Sequence, residues 1–271
     1  MPTIEHAGAR LRYERAGAGP PVLLVQGVGL IGHGWQPQVD GLQDRFTVIT
    51  FDNRGIGGST AGPGPLSIDT MARDALAIMD AEGFTRFHLG GHSMGGVIAQ
   101  QIALLAPERV LSLALLCTFP RGADATRLTW AVLSAGIRTR LGTRRMRRRA
   151  FVDLVMPPIT RGTEDLDALA ERLAPLFGRD LADQPPIVMA QLRAMGQFDA
   201  FARLGALAPI PTLVLSARYD VISRVALGPV LAAAIPGARF LEIADAGHGV
   251  TIQRAAAVNA ALAQHMARAT S

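Results

Sequence analysis

A single serine stands at the centre of a short glycine-rich run, Gly91-His92-Ser93-Met94-Gly95-Gly96. An apolar segment ends directly before this run, and an apolar helical pattern begins directly after it. A G-x-S-x-G sequence between a strand and a helix forms a tight turn that lifts the serine hydroxyl clear of the sheet. Only small residues at Gly91 and Gly95 permit such a turn. The motif predicts that Ser93 is a nucleophile; a glycine-rich turn with an incidental serine is the alternative.

The elements around this serine alternate between strands and helices. Short apolar, β-branched runs that are typical of buried parallel strands occupy residues 21–25, 46–51, 87–90, 110–116, 212–216 and 239–243. Apolar residues at helical spacing occupy residues 67–82, 95–106, 223–235 and 252–267. The strand–helix–strand order predicts an α/β fold with a layered sheet.

The middle of the chain, residues 120–207, has no strand pattern. It shows helical stretches interrupted by prolines and glycines, among them Pro157-Pro158, Pro175 and Pro185-Pro186. We therefore predict a helical cap at 120–207, inserted between two halves of one core that comprise residues 1–119 and 208–271.

These features together resemble the α/β-hydrolase fold family over nearly the whole chain. The resemblance implies a mostly parallel twisted sheet with helices on both faces and a cap between its two halves. It also implies a serine nucleophile, an acid after a later strand and a histidine near the C-terminus, in that order. The matching positions are Ser93, Asp220 and His248. Asp199 and Asp245 are rival candidates for the acid.

The chemistry of such a triad explains each of the three roles. A serine hydroxyl is a weak nucleophile at neutral pH, so His248 must take its proton during attack and later return it to the leaving group. Asp220 would fix the tautomer of the imidazole and stabilise the imidazolium. The expected product of the attack is an acyl-enzyme on Ser93.

An oxyanion formed during that attack needs two backbone N–H donors, which we assign to Met94 and Val28. Val28 lies in the loop after the first apolar strand, where the family usually has a His-Gly pair and this chain has Gln26-Gly27. We expect Gly27 and Gly29 to let the backbone approach the substrate, although a simple turn is an alternative. The predicted substrate-binding residues are Gln26, Gly27, Gly29, Trp35 and Trp130; for Trp35, plain packing is an equal alternative.

Two further segments have predicted supporting roles. Asp52 and Arg54, which follow the second strand of the core, are expected to brace loops beside the site. The cap is expected to form an apolar pocket over the sheet, with residues that include Leu128, Leu133, Phe151, Val155 and Met156.

The composition excludes several classes of function. All 27 basic residues are arginine, so chemistry that depends on a lysine, such as Schiff-base formation or a P-loop, is excluded. Seven arginines lie at 138–149 without an aromatic residue for base stacking, so we expect no nucleic-acid partner. Either this cluster is a solvated helix face, or Arg144 or Arg145 turns inward to bind a substrate carboxylate.

The remaining composition concerns compartment and cofactors. The apolar runs are too short to span a membrane and the N-terminus does not resemble a signal peptide, so a cytoplasmic protein is expected. The single cysteine, Cys117, cannot form an internal disulfide or a cysteine-rich metal site. We expect no metal and no cofactor.

Within the family, haloalkane dehalogenases and epoxide hydrolases have an aspartate where Ser93 stands, and hydroxynitrile lyases recruit a lysine. Carbon–carbon bond hydrolases usually carry an aromatic residue after the histidine, where this chain has Gly249. The motifs are most similar to those of carboxylesterases, enol-lactonases and cofactor-free perhydrolases. We expect hydrolysis of a small-molecule ester or lactone. Carbon–carbon bond hydrolysis, perhydrolysis and a non-hydrolytic binding or sensing role are the alternatives.

Overall fold

A mixed sheet of eight strands forms the centre of the computed structural model, which describes residues 1–126, 134 and 136–269. The strands of this described part are β1 (Thr3–His6), β2 (Ala9–Ala16), β3 (Pro21–Val25), β4 (Thr47–Phe51), β5 (Phe87–His92), β6 (Val110–Leu116), β7 (Thr212–Ala217) and β8 (Arg239–Ile243). Their order in the sheet is β1-β2-β4-β3-β5-β6-β7-β8. The strands from β3 to β8 pair in parallel, which confirms the predicted α/β class.

The sheet begins with an antiparallel hairpin that the sequence analysis missed. β1 pairs antiparallel with β2, and β2 pairs antiparallel with β4. Side chains along β2 alternate between buried and more exposed positions, because the strand lies near one edge of the sheet. Such a strand lacks the continuous apolar run by which buried parallel strands are recognised.

Helices cover both faces of this sheet. Outside the insertion, the described α-helices are α1 (Gln36–Leu42), α2 (Ile68–Ala81), α3 (Met94–Leu105), α9 (Leu227–Ala234), α10 (Val250–Gln253) and α11 (Ala255–Ala269). One apolar core joins α2, α3 and α9 to the sheet, and a second core joins α1 and α11 to the opposite face. Two helices differ from the predicted ones. The helix predicted at 223–235 begins four residues later, as α9, and the helix predicted at 252–267 is divided at Arg254 into α10 and α11.

The chain leaves the sheet after β6 and returns to it at β7. Between them lie α4 (Gly122–Thr126), α5 (Arg144–Val155), α6 (Thr160–Thr163), α7 (Leu166–Phe177) and α8 (Val188–Gly196). α5 and α7 share an apolar cluster of their own. The two ends of the insertion are tied together, because the Gly122 N–H donates to Phe198 O (2.8 Å) and the Ala200 N–H donates to Pro120 O (3.2 Å). This helical insertion occupies the predicted place of the cap.

The arginine-rich helix α5 is matched by acidic side chains of the insertion itself. Two aspartates each bridge two guanidinium groups: Asp180 binds Arg144 and Arg148, and Asp167 binds Arg145 and Arg149. The hydrogen bonds from Arg148 and Arg144 hold the pKa of the Asp180 carboxyl well below its usual range. Arg144 and Arg145 are exposed, with relative side-chain exposures of 53% and 69%, and their guanidinium groups bind neighbouring carboxylates of the insertion. This arrangement agrees with the predicted solvated helix face and contradicts the alternative in which one of the two turns inward to a substrate.

Candidate active site

Ser93 lies on a strained turn between β5 and α3. Its backbone has φ +57° and ψ −122°, in a region that residues other than glycine rarely adopt. A Cβ atom at Gly91 would lie 2.2 Å from the carbonyl oxygen of Gly95, and one at Gly95 would lie 2.0 Å from that of Val25. The turn is therefore as tight as the motif predicts, and glycine is required at both positions because the colliding atoms belong to the backbone.

The last residue of β6 and a residue just after that strand hold this turn in place. The Ser93 N–H donates to Leu116 O (2.9 Å), and the hydroxyl of the buried Thr118 donates to Ser93 O (2.7 Å). Met94 is the first residue of α3, so its N–H has no partner within the helix. The serine side chain and an N–H group without a partner in the helix are thus presented together at the helix N-terminus.

A histidine and an aspartate from the second half of the sheet form a buried pair. His248 Nδ1 lies 2.7 Å from Asp220 Oδ2, and both residues are buried. The other carboxylate oxygen, Oδ1, accepts the N–H groups of Ile222 and Ser223, each at 2.8 Å. With Nδ1 directed at the carboxylate, Nε2 is the nitrogen that remains to act as a base.

The rival acids lie elsewhere. Asp199 is exposed and pairs with Arg121 (3.5 Å), while Asp245 is exposed and pairs with Arg254 (2.7 Å). Neither carboxylate is bonded to His248. The geometry therefore favours Asp220 as the partner of the histidine.

His92, the residue before Ser93, supports the histidine loop. Its Nε2 lies 2.8 Å from the carbonyl oxygen of His248, and the two imidazole rings are 4.7 Å apart between centroids. Burial, assisted by the neighbouring His248, lowers the pKa of His92 to about 3. His92 is therefore neutral at neutral pH and donates Nε2–H to that carbonyl. Nothing in the sequence indicates this role, because His92 occupies a variable position of the G-x-S-x-G motif.

The predicted oxyanion loop is a β-turn from Gly27 to Leu30. The Leu30 N–H points to Gly27 O at 3.4 Å, and the third residue, Gly29, has φ +69°, a conformation that favours glycine. The turn's own hydrogen bond uses neither of its two central N–H groups. Gly29 donates its N–H to Gln191 Oε1 (2.8 Å), and Val28 donates to no other residue in the described part of the chain.

Gly27 brings this loop close to Ser93. A Cβ atom at Gly27 would lie 3.2 Å from Ser93 Cβ, so the backbone passes the serine closely. Gln26, at the position of the family's histidine, is buried and its Oε1 accepts the Gly27 N–H (3.2 Å). Its side chain thus braces the loop from behind.

The two tryptophans proposed for substrate binding have different outcomes. Trp35 is fully buried in the core beneath α1 and α11, with its ring edge-on to His92 at 6.4 Å. These contacts correct the substrate-binding prediction for Trp35 and favour packing, because core side chains around α1 and α11 enclose the indole. Trp130 lies outside the described residues, as do Leu128 and Leu133.

The segment after β4 braces the loops around the site. Asp52 accepts the Gly32 N–H (2.7 Å) and the Gly58 N–H (2.9 Å). Arg54 forms a fully buried ion pair with Asp74, including a contact of 2.7 Å between Nη2 and Oδ1. The contacts of Asp52 agree with the bracing role predicted for it, whereas Arg54 ties its loop to α2 and not to a loop beside the site.

The C-terminal end of α5 contacts the histidine loop. The Gly249 N–H donates to Val155 O (2.8 Å), and a Cβ atom at Gly249 would lie 3.3 Å from the same oxygen. Met156 lies beside it, whereas Phe151 packs edge-on to Phe177 within the insertion. Because α5 fills this space, the position after His248 is suited to glycine.

The sequence profile of the alpha/beta hydrolase fold matches residues 20–255, most of the chain. The chain belongs to the α/β-hydrolase fold family. It is 33% identical over 253 residues to a protein of Azorhizobium caulinodans provisionally named carbamate hydrolase RutD, covering 92% of this chain and 91% of that protein.

Solved structures agree with this assignment. An enol-lactonase from Burkholderia xenovorans superposes with a TM-score of 0.81 at 26% identity, covering 98% of this chain and 100% of the other. A thermophilic esterase from Thermogutta terrifontis superposes with a TM-score of 0.82 at 27% identity and full coverage of both chains. The likeness thus extends through the sheet and the inserted helices.

Within residues 1–126, 134 and 136–269, no helix combines the length and apolar character of a membrane span. In the same part of the chain, no three histidine, cysteine, aspartate or glutamate side chains are grouped in a way that could hold a metal ion.

Proposed function

We propose that this chain is a serine hydrolase that cleaves a carboxylic ester or lactone through an acyl-enzyme on Ser93. The observation that carries the proposal is the strained Ser93 turn, which adjoins the buried pair of His248 and Asp220. Strain of this kind is retained in proteins mainly where function needs it.

The first half of the reaction uses His248 as the base. Its Nε2 takes the proton of the Ser93 hydroxyl while Oγ attacks the carbonyl carbon, and the negative charge moves onto the carbonyl oxygen. The free N–H groups of Val28 and Met94 stabilise that oxygen. His248 then gives the proton to the departing alkoxide, which leaves as an alcohol.

The second half uses water in place of the serine. His248 takes a proton from water, the resulting hydroxide attacks the acyl carbon, and the tetrahedral intermediate expels Ser93 with the same proton returned to Oγ. Throughout, Asp220 keeps Nδ1 protonated. The oxygen of water thus enters the carboxylic acid product.

The relatives bear on the choice of substrate. Enol-lactone and ester cleavage by the structural neighbours supports an oxygen leaving group. A carbamate is a second candidate, favoured by the name of the 33% identical relative, because a carbamate carbonyl is open to the same attack. Carbon–carbon bond hydrolysis is less favoured, since α5 packs against Gly249 where those enzymes usually carry an aromatic ring.

The test compares the purified protein with its Ser93→Ala variant. We expect fluorophosphonate labelling of the wild type at Ser93 and turnover of p-nitrophenyl acetate and butyrate, with both lost in Ser93→Ala. Loss of the triad should remove a rate enhancement of about 10³ or more. Labelling without ester turnover would redirect the search to lactones and carbamates; neither labelling nor turnover would contradict the proposal and favour a non-hydrolytic role.

A further inference from the structure

Gln191 of α8 has a fully buried side-chain amide, of which the oxygen accepts a hydrogen bond and the nitrogen donates none among the described residues. Its Oε1 accepts the Gly29 N–H of the oxyanion loop at 2.8 Å. Its Nε2 is buried and has no hydrogen-bond partner among the described residues. Buried polar atoms almost always have a partner, so this free donor needs an explanation.

The free donor cannot be satisfied by turning the amide around. A flip would direct the NH₂ group at the Gly29 N–H, so two donors would face each other and the existing bond would be lost. The bond to Gly29 therefore fixes the orientation of the whole amide. Because both ends belong to one group, Nε2 is held within a few ångströms of the oxyanion loop.

The insertion encloses this part of the loop from a second side. The guanidinium of Arg179 donates to the carbonyl oxygen of Gly29, so side chains of the insertion bind the peptide groups on both sides of Gly29. The Val188 side chain lies 3.0 Å from where a Cβ of Gly29 would stand. Side chains from residues 179–191 thus enclose Gly29, which directly follows Val28.

We propose that Gln191 is a specificity-determining residue, whose Nε2 donates to a second acceptor oxygen in the acyl group of the substrate. The oxyanion loop binds the acyl carbonyl, and Nε2 is fixed beside that loop, so the proposal assigns it to the acyl chain that adjoins this carbonyl. The preferred substrates would carry an ether, keto or carboxyl oxygen near the scissile carbonyl. This inference rests on the proposed function.

The test uses two p-nitrophenyl esters with acyl chains of nearly equal shape, the butyrate and the methoxyacetate. They differ by exchange of one methylene for an ether oxygen. kcat/KM is measured on both esters for the wild type and for each variant. The ratio of kcat/KM on the methoxyacetate to kcat/KM on the butyrate is then compared between proteins, because the intrinsic reactivity of the two esters is the same in every comparison and cancels.

In Gln191→Met, which keeps the length of the side chain but removes the donor, this ratio is expected to fall about tenfold, the effect of one hydrogen bond. The matched control is Gln197→Met, which changes an exposed glutamine just beyond the same helix and should leave the ratio unchanged. In Gln191→Glu, an acceptor for the Gly29 N–H is retained and the donor is lost, so the ratio should also fall. This nearly isosteric variant serves if Gln191→Met does not fold.

An unchanged ratio in a folded variant that fluorophosphonate still labels would overturn the inference and leave Gln191 as a support of the loop only. That outcome differs from failure of the proposed function, in which the wild type itself is neither labelled nor active on either ester.

Discussion

Replacing Asp220 by asparagine should disable His248 without displacing it. In the structure, Oδ1 of Asp220 accepts two backbone N–H groups and Oδ2 faces His248 Nδ1. An asparagine can accept those two N–H groups only with its carbonyl oxygen, so its NH₂ must face Nδ1. The imidazole then has to accept at Nδ1 and carry its proton on Nε2, where it cannot take the proton of Ser93.

The expected loss in kcat for Asp220→Asn is about 10⁴-fold, the effect of enforcing the wrong tautomer in an intact triad. This corresponds to about 5 kcal/mol of transition-state stabilisation. The assay is steady-state hydrolysis of p-nitrophenyl butyrate with a thermal melt of the same sample, because the nearly isosteric change should leave the protein folded.

The matched control is Asp245→Asn, three residues before His248. That carboxylate is exposed and paired with Arg254, so kcat should stay within about twofold, given the small value of exposed pairs. Retention of more than a tenth of wild-type kcat by Asp220→Asn would refute this reasoning. A large loss of kcat in Asp245→Asn, with kcat near the wild-type value in Asp220→Asn, would refute it as well.

Three further predictions concern the framework of the site. Gly95→Ala places a Cβ 2.0 Å from the Val25 carbonyl oxygen, so it should destabilise the fold by about 1–3 kcal/mol or more in urea unfolding and depress kcat, because the serine turn must shift. Arg54→Met should cost about 3–5 kcal/mol by leaving Asp74 buried and charged, and adding Asp74→Leu should recover part of the loss. Burial lowers the pKa of His88 to about 4, whereas the unfolded chain binds that proton near pH 6.5. The unfolded state therefore binds more protons between these pH values, so the free energy of unfolding should fall on acidification. His88 should contribute about 2 kcal/mol of this loss at pH 5, and the loss should be smaller in His88→Asn.

Each of these predictions has an outcome that would contradict it. Normal urea unfolding and normal kcat in Gly95→Ala would show that the turn tolerates a methyl group. Additive losses from Arg54→Met and Asp74→Leu would mean that the two charges are not coupled. An identical acid-induced loss of stability in His88→Asn and wild type would exclude the histidine as its cause.

The sequence was sufficient for features that depend on local pattern. Continuous apolar runs predicted the parallel strands because strands buried on both faces need them, and β6 and β8 begin and end where expected. The Ser93 turn was equally readable, because its two glycines are required by backbone contacts a few residues away. Asp220 was named in advance only by its place after a strand, in competition with Asp199 and Asp245.

Contacts between distant parts of the chain were decided by the tertiary structure alone. Gln191 and Gly29 are 162 residues apart, and nothing in either local sequence indicates that one holds the other. The burial of Trp35 and the pairing of the α5 arginines with Asp167 and Asp180 belong to the same class. A local sequence pattern reflects the constraints that neighbouring residues place on the backbone and on burial. Contacts between residues far apart in sequence depend on how the sheet and the inserted helices pack. For this protein the sequence therefore determined the fold and the tight turn at Ser93, and packing decided which side chains lie against the loop from Gly27 to Leu30.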